Sequence, residues 1–513
     1  MRPAQLAVLV ALVFTLARGL PVPVLDEETW LDIASQATLS GPYDWWRAGP
    51  PWGDGREASG FVFAHPPLFF LWVKLCASLT PHLSLLRIAA AAPFAALLGL
   101  SVGALAEGGP RSTPAALAAL SSPVLMLAAG CGLMPDLAVT ALMTASVVAW
   151  LRGWEAPAAG RGWWLASGAL LSLAAFTKYP ALLLAPVLLL DALRRGGLRR
   201  SGVFWLAFLV PWILGEGCLA LRYGRVHLVE VLARSGEIPR GPISERALGA
   251  LARLGLALSP ALLGWASLRR LAIPAFLLGG GALALGWQAD LSGPARALLL
   301  ALAVCGGAWV AFAVDLAERG WRSVGPERHD TFALAGLGLV VVLGVILGHN
   351  YASPRYLLPA LAPLTLLAAR GVSSRQALFG AALGLVLGLA LSRAEERYAV
   401  AADQVAMALA SGSPAPGRFS GEWTFRWRMS KEGWTFLSGA PRAGERVALP
   451  ANAAPGLTPQ PGWTVESSTG AGRGSLRLLD LEEGVGWYAE TLGALPLGWR
   501  DGRLEEGSVW LVP

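Results

Sequence analysis

Asp26 and Glu27 follow the first apolar run of the chain and open an amphipathic stretch from Thr29 to Ala37. A carboxylate partly shielded from water can take a proton from an attacking hydroxyl or amine, which is general-base work. Taken alone, the pair reads first as the acidic first turn of a helix, favoured by the helix dipole. Lys178 lies between two apolar segments, and Arg355 with Tyr356 begins another, just after His349 and Asn350. Arg offers a bidentate fork to a phosphate and Lys a point charge, and an anionic leaving group needs such cations as the bond to it breaks. A lone cation at such a place is as readily an interfacial side chain snorkelling towards water. His65 precedes two prolines and Asp136 follows one, so each also has a plain structural role, as a turn residue satisfied by water and as a helix cap. Glu216 stands within an apolar run. An ionisable group at the bilayer centre costs about 2.5–3.5 kcal/mol or more, so such residues collect at span ends or around a polar cavity.

What must position these groups is a membrane bundle. Of the 513 residues 55% are hydrophobic and 15% charged, against about 25% charged in an ordinary soluble domain. A spanning helix needs about 20 apolar residues, and thirteen stretches roughly qualify: 4–20, 83–106, 113–133, 135–151, 162–178, 179–193, 201–221, 252–268, 271–289, 296–314, 331–349, 355–369 and 375–392. With Met1 in the cytoplasm, Arg111, Arg152 with Arg161, Arg194-Arg195 with Arg199-Arg200, Arg269-Arg270, Arg319 with Arg322 and Arg328, and Arg370 with Arg375 all face inward, as the positive-inside bias predicts. The loop with Arg222, Arg225, Arg234, Arg240 and Arg246 runs against that bias. An odd number of spans puts the C-terminal region outside and makes Pro21 to about Thr80 an external segment. Pro66 to Leu79, short and interrupted by Lys74, is expected as a juxtamembrane helix at the outer interface. Tyr43, Trp45, Trp46 and Trp52 suit the same headgroup level.

The expected architecture is therefore an all-α polytopic bundle of about thirteen transmembrane helices over residues 1–392, with an external loop over 21–80, and a small soluble α/β domain over 393–513. In the latter, short apolar groups separated by Gly and Pro replace the long apolar runs. Under this topology Asp26, Glu27, His65, Asp136, Lys178, Glu216, His349, Asn350, Arg355 and Tyr356 all reach the outer face, where they suggest a pocket.

Several function classes are excluded or left without support. The net charge of +7 comes mostly from Arg in short loops between apolar runs, so topology explains it better than nucleic acid does. Cys76, Cys131, Cys218 and Cys305 lie within or beside apolar segments and imply neither a disulfide framework nor a thiolate metal site. The run from Gln5 to Leu16 lacks a small-residue cleavage pattern before Pro21-Val22-Pro23 and reads as an uncleaved first span.

Five short motifs in this order resemble the GT-C membrane glycosyltransferases, in particular the dolichyl-phosphate-mannose protein mannosyltransferase family and bacterial relatives such as the lipid A aminoarabinose transferase. They are Leu25-Asp26-Glu27, His65-Pro66-Pro67-Leu68, Met134-Pro135-Asp136, Thr177-Lys178-Tyr179-Pro180 and Pro354-Arg355-Tyr356-Leu357-Leu358-Pro359, spread over about the first 390 residues. The resemblance implies inverting transfer of a sugar from a polyprenyl-phosphate donor to a protein, lipid or glycan of the cell envelope. It implies Asp26 as base, with Glu27 beside it, and a lipid phosphate held by Lys178 and Arg355 with Tyr356. His65 and Asp136 occupy motif positions, and Glu216, His349 and Asn350 remain pocket candidates. A phosphate held by protein can leave without a metal, no ligand cluster stands out, and a divalent ion is left open. The implied location is the bacterial inner membrane, with the C-terminal domain periplasmic. The rival from another class is a transporter or flippase of an envelope lipid, although no internal repeat is evident.

Overall fold

The computed structural model describes the chain except residues 1, 17–21, 25, 48–57, 60, 62–64, 108–111, 157–158, 238–240, 264, 286–290, 323–329, 350–351, 455 and 489–490. Asn350, Trp52, Arg111, Arg240 and Arg328 thus lie outside the described residues.

Prolines set the joints of the bundle. Helix α1 (Pro3–Leu16) leads to a segment holding α2 (Glu27–Gln36), the short hairpin β1 (Trp46–Arg47) and β2 (Ala58–Ser59), and α3 (Leu68–Leu79). Then come α4 (Leu83–Ala106), α5 (Ser112–Leu120), α6 (Pro123–Gly130), α7 (Pro135–Glu155) and α8 (Gly160–Thr177). Pro123 at the start of α6 forces a 61° bend from α5, because proline has no N–H to continue a helix and clashes with the preceding turn. A 3₁₀ turn at Tyr179–Leu183, carrying Pro180, precedes α9 (Leu184–Arg194). Helices α10 (Gly202–Tyr223), α11 (His227–Glu237), α12 (Ile243–Ala257), α13 (Trp265–Leu285), α14 (Gly293–Arg322), α15 (Thr331–Leu347), α16 (Leu358–Gly371) and α17 (Ser374–Gly412) complete the bundle.

The chain has the apolar helices of a multi-pass membrane protein, but the expected count of thirteen spans is not reproduced. By length and composition, five described helices can cross a membrane: α4, α7, α10, α14 and α17, with the bent α5–α6 pair as a sixth. The expected spans at 179–193 and 252–268 are each interrupted by a proline-bearing 3₁₀ turn, which leaves an 11-residue helix and the 15-residue α12. Close packing uses small residues, as lipid offers helices no hydrophobic gain for meeting one another. A Cβ on Gly255 would stand 2.0 Å from the Leu302 carbonyl oxygen, and one on Gly306 the same distance from that of Leu251, so α12 and α14 touch backbone to backbone.

Helix α17 has 39 residues, about 58 Å at 1.5 Å per residue and well beyond a hydrocarbon layer of about 30 Å. It runs unbroken through the expected boundary at 392/393 and packs its far end on the C-terminal domain. That domain holds β3 (Arg418–Phe419), α18 (Trp423–Lys431), β4 (Thr435–Phe436), β5 (Arg446–Pro450) and β6 (Thr464–Arg473). Two small ladders follow, β7 (Leu476–Arg477) with β10 (Gly498–Trp499) and β8 (Leu479–Asp480) with β9 (Val485–Gly486), before β11 (Arg503–Leu511). The main sheet runs β4-β3-β5-β11-β6. Strand β3 is parallel to β4 and β5, with α18 as the crossover to β4, and β11 is antiparallel to β5 and β6.

Two buried polar contacts tie this domain together and to the bundle. Arg253 of α12, fully buried, donates to the carbonyl oxygens of Gly486, Trp487 and Gly493. An arginine in an apolar run thus serves as a dock for the C-terminal domain. Glu505 accepts from the Tyr398 hydroxyl of α17 at 2.8 Å and from the backbone N–H groups of Ala451, Asn452 and Glu506. Burial raises its carboxyl to about 7 against the pull of those four donors, which favour the charged form. A folded-state value above the unfolded one gives stability that is complete below about pH 4.5 and is lost as the pH rises through about 7. On that basis the domain melts at lower temperature at pH 8 than at pH 5, and Glu505→Gln flattens the dependence. Thermal unfolding followed by tryptophan fluorescence checks this; an unchanged slope in the variant defeats it.

Candidate functional site

Asp136, Lys178, Arg355 and Tyr356 owe their places to neighbouring prolines. Met134 is extended because Pro135 follows, and α7 then starts at Pro135, leaving Asp136 in its first turn. Lys178 is extended at the end of α8, before the Pro180 turn, and Ser353 is extended before Pro354, which places Arg355 and Tyr356 in a single 3₁₀ turn leading into α16. Alternating helix direction then brings the start of α7, the end of α8, the end of α15 and the start of α16 together at one end of the bundle. Asp191 marks the opposite end, gripped by Arg194 and Arg195 and by the Trp150 indole N–H.

At the motif end the polar groups meet. Arg355 donates to Asp26 Oδ2 at 2.7 Å, with about one-sixth of each side chain exposed. Lys178 Nζ lies 2.6 Å from Asp136 Oδ1, both buried. The Tyr356 ring has Lys178 Nζ 4.3 Å from its centre and the Arg355 guanidinium 5.3 Å away, while His349 stacks on it at 4.2 Å and 15°. One aromatic ring thus gathers three basic side chains. Lys178 has three N–H donors, of which Asp136 takes one. The buried Asp136 Oδ2 accepts nothing among the described residues.

Asp136, Lys178, His349, Arg355 and Tyr356 border a small cavity, partly open to solvent, which Asp26 does not line but reaches through Arg355. They form its polar rim, and its deeper wall is apolar: Val139 and Met143 of α7, Leu183, and Val341 and Val345 of α15. His65 sits beside it against Trp30, ring centres 5.1 Å apart. Burial, and then the charges of Lys178 and Arg355, hold its imidazole well below the ordinary value, so it is neutral.

The structure does not bring every expected residue to this rim. Glu27 is fully buried and turned away: Arg87 of α4 grips it from Nε at 3.0 and 3.1 Å and from Nη2 at 2.5 Å, and Val24 N–H adds a further bond. Glu216 is one step removed. It accepts from the Tyr179 hydroxyl at 2.5 Å, which also lies 2.6 Å from His227 Nδ1, and the Tyr43 hydroxyl reaches the same nitrogen at 3.2 Å. Asn350 lies outside the described residues. Sequence reading missed Arg87, Arg246, whose guanidinium holds the His349 carbonyl oxygen at 2.9 Å, and the Tyr43–His227–Tyr179 cluster. An Arg in an apolar span was the available signal for Arg87, since such a charge needs a buried partner. Among the described residues no group of three or more His, Cys, Asp or Glu side chains is arranged to hold a metal ion.

No protein-family model matches the sequence, and no curated protein matches it. Among solved structures, the chain is similar to ArnT from Cupriavidus metallidurans bound to undecaprenyl phosphate, at 16% identity and a TM-score of 0.45 over 87% of this chain and 92% of that one. It is similar to the same protein in the apo state, at 18% identity and a TM-score of 0.39 over 84% of each chain. It is also similar to the apo oligosaccharyltransferase of Archaeoglobus fulgidus, at 11% identity and a TM-score of 0.46 over 85% of this chain and 60% of that one. The solved structures that this chain is similar to are GT-C glycosyltransferases.

Proposed function

We propose that this protein transfers a sugar from a polyprenyl-phosphate donor to a cell-envelope acceptor, at the outer face of a bacterial inner membrane, with its C-terminal domain on the same side. The observation that carries this reading is the two-sided cavity: a rim with Lys178 and Arg355, and beneath it an apolar wall from α7 and α15. A phosphate attached to a hydrocarbon tail has the matching polarity, since its head needs cations and its tail can stay in lipid.

In the proposed reaction Asp26 takes the proton of an acceptor hydroxyl or amine as that atom bonds to the anomeric carbon. The bond from that carbon to the phosphate oxygen breaks, and the phosphate leaves with the electron pair. A single displacement inverts the anomeric centre. The charge that grows on the phosphate is met by the remaining donors of Lys178 and by Arg355, preorganised against Tyr356, which is where electrostatic catalysis acts. Asp136 Oδ2, buried and without a donor, can accept from a sugar hydroxyl. Arg355 bridges the two halves, holding Asp26 at 2.7 Å on one side and facing the cavity on the other. His65, neutral, adds no charge to repel the cations.

Undecaprenyl phosphate carries the shared head and tail without a sugar, and its binding to the full chain in nanodiscs, read by native mass spectrometry, tests the reading. Bonds to charged groups contribute about 1.5–3 kcal/mol, so Lys178→Met and Arg355→Leu should each weaken binding about 10- to 100-fold. Asp26→Asn should bind at least as tightly as wild type, because it keeps the contact to Arg355 but removes a negative charge that competes with the phosphate for that guanidinium. Wild-type affinity in both cation variants overturns the proposal.

A further inference from the structure

Three consecutive acids meet three arginines from three parts of the chain. Asp26 pairs with Arg355 at the start of α16, Glu27 with Arg87 of α4, and Glu28 with Arg426 of α18 in the C-terminal domain, 3.8 Å away. Successive residues of a helical turn point about 100° apart, so the three partners surround the turn and fix its rotation. Arg426 and Glu28 are both nearly buried, at 5% and 11% side-chain exposure. The Thr424 hydroxyl, also on α18, donates to the Pro23 carbonyl oxygen at 2.7 Å, just ahead of the turn. Trp423 begins α18 at φ 60°, a left-handed conformation that a bulky residue adopts only when its surroundings hold it there. It packs on Tyr488, whose hydroxyl reaches Glu395 of α17. Arg426 itself is braced by Glu422 and by the Phe436 ring at 4.1 Å.

We infer that α18 is a positioning element for Asp26: Arg426, through Glu28, and Thr424, through Pro23, hold the turn so that the Asp26 carboxylate faces Arg355, which lines the cavity. The inference deepens the proposed transfer reaction and rests on it for its catalytic consequence. Arg426 and Thr424 touch no reacting atom in this scheme. They set the direction of the base from the far domain, which gives the soluble domain a part in the chemistry.

The test uses the full chain in nanodiscs, with Arg426→Gln, Thr424→Val, Glu28→Gln and the Glu28→Gln/Arg426→Gln double variant. Hydrogen–deuterium exchange should rise at least tenfold at amides 27–33 in Arg426→Gln and Thr424→Val and stay unchanged in α16. Turnover, measured with radiolabelled polyprenyl-phosphate hexoses and pentoses, should fall tenfold or more while the KM for donor stays within twofold. The double variant should be no slower than Arg426→Gln alone, and Arg426→Lys should recover part of the loss. If Arg426→Gln does not fold, Thr424→Val carries the same comparison. Unaltered exchange at amides 27–33 in the folded variants overturns the inference, as does wild-type turnover with Asp26→Asn inactive. Activity retained in Asp26→Asn would instead remove the base assignment, while the exchange result would still decide whether α18 holds the turn.

Discussion

An Asp26→Asn chain should transfer sugar about 10²- to 10⁴-fold more slowly than wild type, the span that a positioned general base contributes. The amide keeps an oxygen for Arg355, so the 2.7 Å contact and the surrounding turn survive, and only the capacity to take a proton is lost. The loss should lie in turnover, with donor KM unchanged or lower. Radiolabel transfer from a panel of polyprenyl-phosphate sugars measures it, and turnover within threefold of wild type would remove Asp26 as base. Glu27 cannot substitute, because its oxygens are taken up by Arg87 and by backbone N–H groups in a site closed to water.

That contrast between neighbours marks what the sequence could convey. The motifs beside proline were legible because proline acts locally: it ends one helix, starts another, and leaves the adjacent polar residue at a terminus. Hence Asp136, Lys178, Arg355 and Tyr356, far apart in sequence, were expected on one face, and the structure places them around one cavity. Which of two adjacent carboxylates turns outward depends on α4, since Arg87 claims Glu27, and no local pattern announces a partner 60 residues away. The count of thirteen spans is not confirmed, for a different reason. Length and mean composition alone pass a stretch such as 252–268 as a span, whereas Pro260 inside it interrupts the backbone hydrogen bonding that a bilayer-length helix needs. The change of composition pointed to a separate C-terminal region, which carries the small sheet, but its docking through Arg253 and α18 depends on long-range contacts.

The site is assembled from both halves of the molecule. The apolar wall and the cations belong to the bundle, Asp26, the proposed base, belongs to the turn before α2, and that turn is held by arginines from α4 on one side and from the C-terminal domain on the other. In the proposed transfer reaction such a division would let acceptor-facing segments vary while the phosphate-holding cations stay on rigid helices, where side chains are placed most accurately.

The strongest stability effect should come from the pair that does no chemistry. Arg87→Leu leaves Glu27 fully buried without its cation, and takes from the Val22 carbonyl oxygen a donor at 2.7 Å. Removing one partner of a buried ion pair costs about 3–5 kcal/mol, whereas replacing both with apolar residues is far less damaging, because neither desolvated charge is then left alone. The Glu27→Leu/Arg87→Leu double variant should therefore unfold at higher temperature than Arg87→Leu, although the turn at 22–28 loses its anchor in both and transfer stays low. Thermal and denaturant unfolding of the single and double variants in detergent decides this. An Arg87→Leu chain within about 1 kcal/mol of wild type would mean that Glu27 escapes its burial by protonation or by movement of the turn. In the latter case Asp26, one residue earlier, would lose its fixed direction as well.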